Sequence, residues 1–191
     1  MKPQRIVGLD LSLTATGVAA VDLAERNVRF VLVKSPAEGD EISDTVARIN
    51  TAVDRIKGAF TREPTLVIIE APSLGSRFGK PHERAGLWWK VVDWACAEGH
   101  IVVQVRPRSR AKYIAGHRPV AAPRKGPDKR EVVSASREEF PAFRALANDN
   151  VADAFGLARI GARASGSPID SSTPQRVEVV AAVRWPHEIT K

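Results

Sequence analysis

Residues 5–12 read RIVGLDLS, an apolar run from Ile6 to Leu9 that is broken by Asp10. A short apolar run rich in branched residues is the pattern of a buried strand. Aspartate is disfavoured there, both by strand propensity and by the cost of removing a carboxylate from water. Asp10 therefore reads as a functional carboxylate; its competing role is to cap the next turn with Ser12 or Thr14. That turn is LTATG, residues 13–17, and Ser12, Thr14 and Thr16 line it. Strands are expected at 18–23 and 28–34, the latter alternating in VRFVLV. Connections this short imply an antiparallel meander.

Beyond the meander the period changes. Ile42, Val46, Ile49, Val53 and Ile56 recur at three or four residues, which predicts a helix over 41–60. Leu66 to Glu70 is an all-apolar strand ending in an acid, as at the centre of a sheet. The Gly/Pro/Ser-rich loop APSLGSRFGKPHE leads to a helix over 84–98, and Ile101–Val105 is a further buried strand. A helix is expected over 148–164, capped by Asn148 or Asp149 and ended by Gly166 and Pro168. VEVVAAVRW, 177–185, reads as a final strand. The order is three strands, helix, strand, helix, strand, helix, a mixed α/β layout with helices covering the sheet. Sites in such sheets form at the carboxyl ends of neighbouring strands, so Asp10 and Glu70 meet if the first and fourth strands are neighbours.

Four acids carry the chemistry: Asp10, Glu70, Asp149 and Asp153. Glu70 alone reads equally as a solvent-facing strand end. Asp149 and Asp153 are four apart and share a helix face, where like charges repel unless a cation lies between them. Asp149 has a plain N-cap role as its competitor. Asp153 lies among Val151, Ala152, Ala154 and Phe155 and is expected to point into a cleft. A convergent all-oxygen cluster suits Mg²⁺ or Mn²⁺ and phosphate-ester chemistry. The four histidines have no metal-ligand spacing and read as surface residues. Adjacent Trp88 and Trp89 must face different ways, which leaves one for a partner surface or nucleic acid. Phe78, beside Gly79, is a candidate for base stacking.

Charge is unevenly spread. Residues 104–144 hold eleven Lys+Arg against four Asp+Glu, so this one segment carries the whole formal excess of +7. A basic segment on a neutral body points to a polyanion, and to nucleic acid first. With 43% hydrophobic and 27% charged residues over 191 positions, one soluble domain is expected. The basic segment at 104–144 is then part of that domain, with a short C-terminal extension at 166–191. The single cysteine, Cys96, excludes an internal disulfide and a cysteine zinc cluster. The chain runs from its start straight into a strand and has no apolar run of membrane-spanning length. A cytoplasmic protein with no membrane partner is expected.

These motifs together resemble the RuvC-type Holliday junction resolvases of the RNase H-like superfamily. GLDLSLTATGVA is similar to the family's first motif, VIIEAPS to its second, and NDNVADAFGLA to its last. KYIAG and GPDKREVV resemble its basic region. The resemblance spans about residues 5–163 and holds in order and rough spacing. Its compact, divergent form looks like that of a phage or prophage member. Three features depart from the family, one being the loop after Glu70, where no stacking aromatic stands close behind the glutamate and Phe78 lies further on. The family's last two ligands stand three residues apart, whereas here Asn150 occupies that position and the acid, Asp149, lies four before Asp153. Either Asp149 takes the ligand role or Asn150 coordinates through its amide oxygen. RPVAAPR, 118–124, also lengthens the basic segment.

The resemblance implies an RNase H-like mixed five-stranded sheet, three antiparallel strands followed by two parallel ones and flanked by helices, and a homodimer that cuts two symmetric strands of a four-way junction. It implies two Mg²⁺ or Mn²⁺ ions held by Asp10, Glu70, Asp149 and Asp153, with Asp10 bridging them. Arg110, Lys112, Arg124, Lys125, Lys129 and Arg130 would hold DNA backbone phosphates. A broader flap or fork nuclease and an inactive junction-binding module are the alternatives. An actin-like ATPase begins with a similar strand-Asp-turn but needs two such domains and a second glycine-rich motif, which this chain lacks.

Overall fold

A computed structural model describes residues 3–36, 39, 41–60, 63, 65–72, 80–116 and 129–190. Five strands form one mixed sheet: β1 (Arg5–Asp10), β2 (Ala15–Asp22), β3 (Asn27–Lys34), β4 (Leu66–Glu70) and β5 (Ile101–Val105). Their order is β3-β2-β1-β4-β5. β1, β2 and β3 pair antiparallel, while β1 with β4 and β4 with β5 pair parallel. This is the mixed sheet expected from the sequence, and β1 and β4 are indeed neighbours.

Helices α1 (Ile42–Lys57) and α2 (Pro81–Ala97) cover one face. The second parallel crossover leads through β5 to α3 (Pro107–Ala115), then α4 (Lys129–Glu139), α5 (Asp149–Ala164) and α6 (Pro174–Ala181). Strand alternation sorts the core. Ile6, Leu66 and Ile68 pack with α5, whereas Val7, Leu9, Val67 and Ile69 pack with α1 and α2. Because side chains alternate across a strand, Asp10 and Glu70 fall on the α5 face, in line with Ile6 and Ile68. Both end their strands, so they meet at the carboxyl edge of the sheet, beside the first turns of α5.

α5 reaches that position because β1 and β2 each present a glycine where its first turns cross them. A Cβ on Gly8 would stand 1.9 Å from the Ala154 carbonyl oxygen, and one on Gly17 would stand 2.0 Å from that of Asn150. Both obstructions are helix backbone, so α5 itself would have to move. Gly8→Ala is therefore expected to destabilise the fold by about 1–3 kcal/mol through overpacking. In a thermal melt that is a fall in Tm of roughly 2–12 °C. An unchanged Tm would mean that α5 does not lie this close to β1.

The C-terminal segment departs from the sequence reading. VEVVAAVRW is not a strand; most of it lies in or just after α6. Thr173 caps this helix by accepting from the Arg176 N–H at 3.3 Å, and Pro174 opens it. Arg176, Val179, Val180 and Val183 face the core at helical spacing, while Val177 is 53% exposed. Helical periodicity and a capped start here prevail over the strand preference of branched residues. His100 is a second departure. It is buried, and its Nδ1 accepts from the Thr65 N–H at 3.2 Å. His82 and His187 are exposed as expected. Among the described residues no helix is long and apolar enough to cross a membrane.

Candidate active site

β1, β4 and α5 bring Asp10, Glu70 and Asp153 to a cleft of about 300 Å³, which Ser12, Trp88, Arg110, Lys129 and Asn150 also line. The walls are fixed from behind. Thr16 is fully buried; its hydroxyl donates to the Ser12 carbonyl at 3.0 Å and accepts from the Ser12 N–H at 3.1 Å. This clamps the turn that follows Asp10. The Trp88 indole donates to the Glu70 carbonyl at 2.9 Å and anchors the end of β4. Asn148 caps α5 by accepting from the Val151 N–H at 3.2 Å, which sets where Asp153 begins its second turn.

The three carboxylates converge on one nitrogen. Arg110 Nη1 lies 2.5 Å from Asp153, 2.7 Å from Glu70 and 3.7 Å from Asp10. Burial pushes the Asp10 carboxyl well above its usual range, and the neighbouring Glu70 charge adds to this. Burial likewise raises Glu70 to about 7 and Asp153 to about 6, against the opposing pull of Arg110. Glu70 Oε2 and Asp153 Oδ1 are buried without a hydrogen-bond partner. Such raised values and unsatisfied oxygens belong to a cluster short of positive charge.

The other predicted site residues are placed differently. Asp149 is turned toward Lys129, which donates to it at 2.6 Å. That bond holds the Asp149 carboxyl below the usual range and the Lys129 ammonium above its own. Asn150, not Asp149, lines the cleft. Lys112 pairs with Glu178 of α6 at 2.6 Å, and Arg130 is exposed on the first turn of α4. Trp88 is half-buried and Trp89 is 65% exposed, so only Trp89 is left for a partner; the two rings do not turn apart but meet edge to face at 4.8 Å. Arg124, Lys125, Phe78 and the RPVAAPR stretch lie outside the described residues. The sequence reading missed the placement of Arg110 among the acids and the support from Trp88; neither has a local signature.

The donor set fits a hard divalent cation. It offers three carboxylates and an amide, all through oxygen, with two of those oxygens unsatisfied. Among the described residues no three Asp, Glu, His or Cys side chains are already gathered into a metal-holding group. The carboxylates instead close on the arginine.

Protonation gives this arrangement a pH signature. Glu70 has its carboxyl raised from 4.5 to about 7 by burial. Its neutral form suits the fold, so its contribution is intact below about 4.5 and lost as pH rises through about 7. The Tm advantage of Glu70→Gln over the wild type is therefore expected to widen across that window in EDTA. Saturating Mn²⁺ should reverse it. An advantage that does not vary with pH would show that the Glu70 carboxylate is not confined as described.

No family model matches the sequence, and no curated protein matches it. Solved structures do. Thermus thermophilus RuvC matches with a TM-score of 0.62 at 19% identity, over 85% of this chain and 97% of that one. T. thermophilus RuvC in complex with Holliday junction substrate matches with a TM-score of 0.56 at 21% identity, over 81% and 90%. The chain has the RuvC fold. In this chain the RuvC fold sets the carboxyl ends of β1 and β4 beside the start of α5, where the three acids meet.

Proposed function

We propose that this chain is a metal-dependent endonuclease that resolves four-way DNA junctions by hydrolysing one phosphodiester in each of two symmetric strands. The observation that carries this reading is the convergence of Asp10, Glu70 and Asp153, with oxygens to spare, in a cleft that Arg110 of α3 and Lys129 of α4 also line. The likeness to a RuvC bound to a junction supports the choice of substrate.

Asp10, Glu70 and Asp153 would hold one or two Mg²⁺ or Mn²⁺ ions, with Asn150 or Asp149 completing the set. Bound there, such ions would polarise the phosphodiester and acidify an attacking water. The protein's own part is to fix these oxygens on rigid elements and to hold the DNA. Lys129 and Arg130, together with Lys112, Arg124 and Lys125, would neutralise backbone phosphates without reading sequence. Two copies of the chain would present two such clefts to the two strands, in the cytoplasm of the cell where the junction arises.

The experiment is incubation of the purified protein with a labelled four-way junction, a flap and a plain duplex, in Mg²⁺, in Mn²⁺ and in EDTA. Symmetric, metal-dependent nicks in the junction alone support the reading. Cutting of flaps as well makes this a broader branched-DNA nuclease. Binding with no cutting in either metal favours an inactive junction-binding module.

A further inference from the structure

α3 begins two residues after β5, with Pro107 in its first turn, so it is fixed at the carboxyl edge of the sheet. Its fourth residue is Arg110. The stem of this arginine crosses α5 at Gly156, where its Cγ lies 3.7 Å from the position a Cβ would take. The head then enters the acidic cluster.

How it enters is informative. Arginine binds carboxylates best through its fork, two parallel N–H groups on one partner. Here the one atom Nη1 makes the shortest contact with each of the three carboxylates, at 2.5, 2.7 and 3.7 Å. Arg110 Nε is buried with no partner, as are Glu70 Oε2 and Asp153 Oδ1. The side chain of Asp153 is 6% exposed and that of Arg110 is 11% exposed, so water does not make up the deficit. The contact is close in charge and poor in hydrogen bonding. One positive point ringed by oxygens from three chain segments is the geometry of an ion. One arginine also brings a single positive charge to three carboxyl groups. Two further cations line the cleft: Lys129, already engaged by Asp149 at 2.6 Å, and Arg84.

We propose that Arg110 is a resident counter-ion, which holds the three carboxylates together in the metal-free protein and is exchanged for the divalent cation. This rests on the metal-nuclease reading above and adds to it a built-in competitor for the metal. The arginine spares the fold the full repulsion of three buried carboxylates, and it weakens metal binding by the amount of its own attraction to them. Uptake of the cation then requires the guanidinium to swing out into the cleft.

The test is calorimetric titration of Mn²⁺ into the full chain without DNA, for the wild type, Arg110→Met and Arg110→Lys. Each protein is also melted in EDTA and in Mn²⁺. Arg110→Met keeps the bulk of the stem and removes the charge. It is expected to bind Mn²⁺ on the order of tenfold more tightly than the wild type, within the usual range of couplings between two ligands. Its Tm is expected to fall in EDTA and to recover in Mn²⁺. Arg110→Lys keeps a cation and should lie between the two in affinity. Unchanged or weaker Mn²⁺ binding by Arg110→Met overturns the exchange, as does equal tightening in both variants. If the wild type and both variants take up no Mn²⁺ at millimolar concentration, the metal reading itself falls, and the proposal with it.

Discussion

Asp10→Asn is expected to lower metal-dependent junction cleavage by on the order of a thousandfold or more, equivalent to about 4 kcal/mol of transition-state stabilisation. The substitution is nearly isosteric. Asp10 ends β1 opposite Gly17, and its side chain is 14% exposed, so an amide of the same shape keeps the strand register. It removes one negative oxygen from the point where three segments converge. Burial already disfavours that charge, so the variant should melt no lower than the wild type in EDTA. The rise in Tm on adding Mn²⁺ should be much reduced. Junction binding should stay within a few-fold, because the phosphate contacts are assigned to the basic segment and the cleft loses a repulsive charge. Cleavage, melting in the two media and junction anisotropy together check this. Cleavage near the wild-type rate would sink the assignment of Asp10.

The same substitution separates the two acids of α5. Asp153 is buried in the cleft and holds an unsatisfied oxygen. Asp149 is satisfied by Lys129 at the rim, with 35% of its side chain exposed. Asp153→Asn should therefore match Asp10→Asn in cleavage, and Asp149→Asn should be milder. Equal losses would mean that Asp149 leaves Lys129 when metal or DNA binds.

Much of this site was legible because it follows from two periods. Asp10 stands out as a charge in an apolar strand, and alternation along β1 and β4 puts it on the same face as Glu70. Parallel pairing of the two strands then brings their carboxyl ends together. Helical spacing supplies the third acid. The choice between Asp149 and Asn150 was not legible, because it depends on which side chain Lys129 engages from twenty residues away. Arg110 was expected on DNA for its charge alone. Its position among the acids comes from the docking of α3 against Gly156 of α5, which no local pattern announces. The C-terminal strand was misread because VEVV satisfies strand propensity, while its period was decided by a partner outside the segment.

That partner is a buried ionic network, and it carries the largest expected effect on stability. Asp170 follows α5, and its side chain has no exposed surface. It accepts from Arg159 Nε at 2.8 Å, from Arg163 Nη2 at 2.5 Å and from the Tyr113 hydroxyl at 2.9 Å. Arg176 of α6 stands 3.8 Å away. Glu139 of α4 is the second acid, 2.5 Å from Arg159 and 2.6 Å from Arg176. Three arginines thus share two carboxylates, with the Arg159 guanidinium also 4.9 Å from the centre of the Phe140 ring. Asp170→Asn keeps the shape and leaves three cations to one carboxylate, away from water. Breaking a buried pair in this way costs about 3–5 kcal/mol, a fall in Tm of roughly 6–20 °C for a chain of this size. Asp54→Asn, at an exposed pair 3.7 Å from Lys57, serves as the control. It should change Tm by no more than about 4 °C. The network spans α3, α4, α5 and α6, and Tyr113 lies on the same helix as Arg110. Loss of Asp170 should therefore also loosen the helix that delivers the arginine to the acids. If Asp170→Asn melts with Asp54→Asn, the C-terminal segment is not clamped by this network, and α3 must be held by its apolar contacts alone.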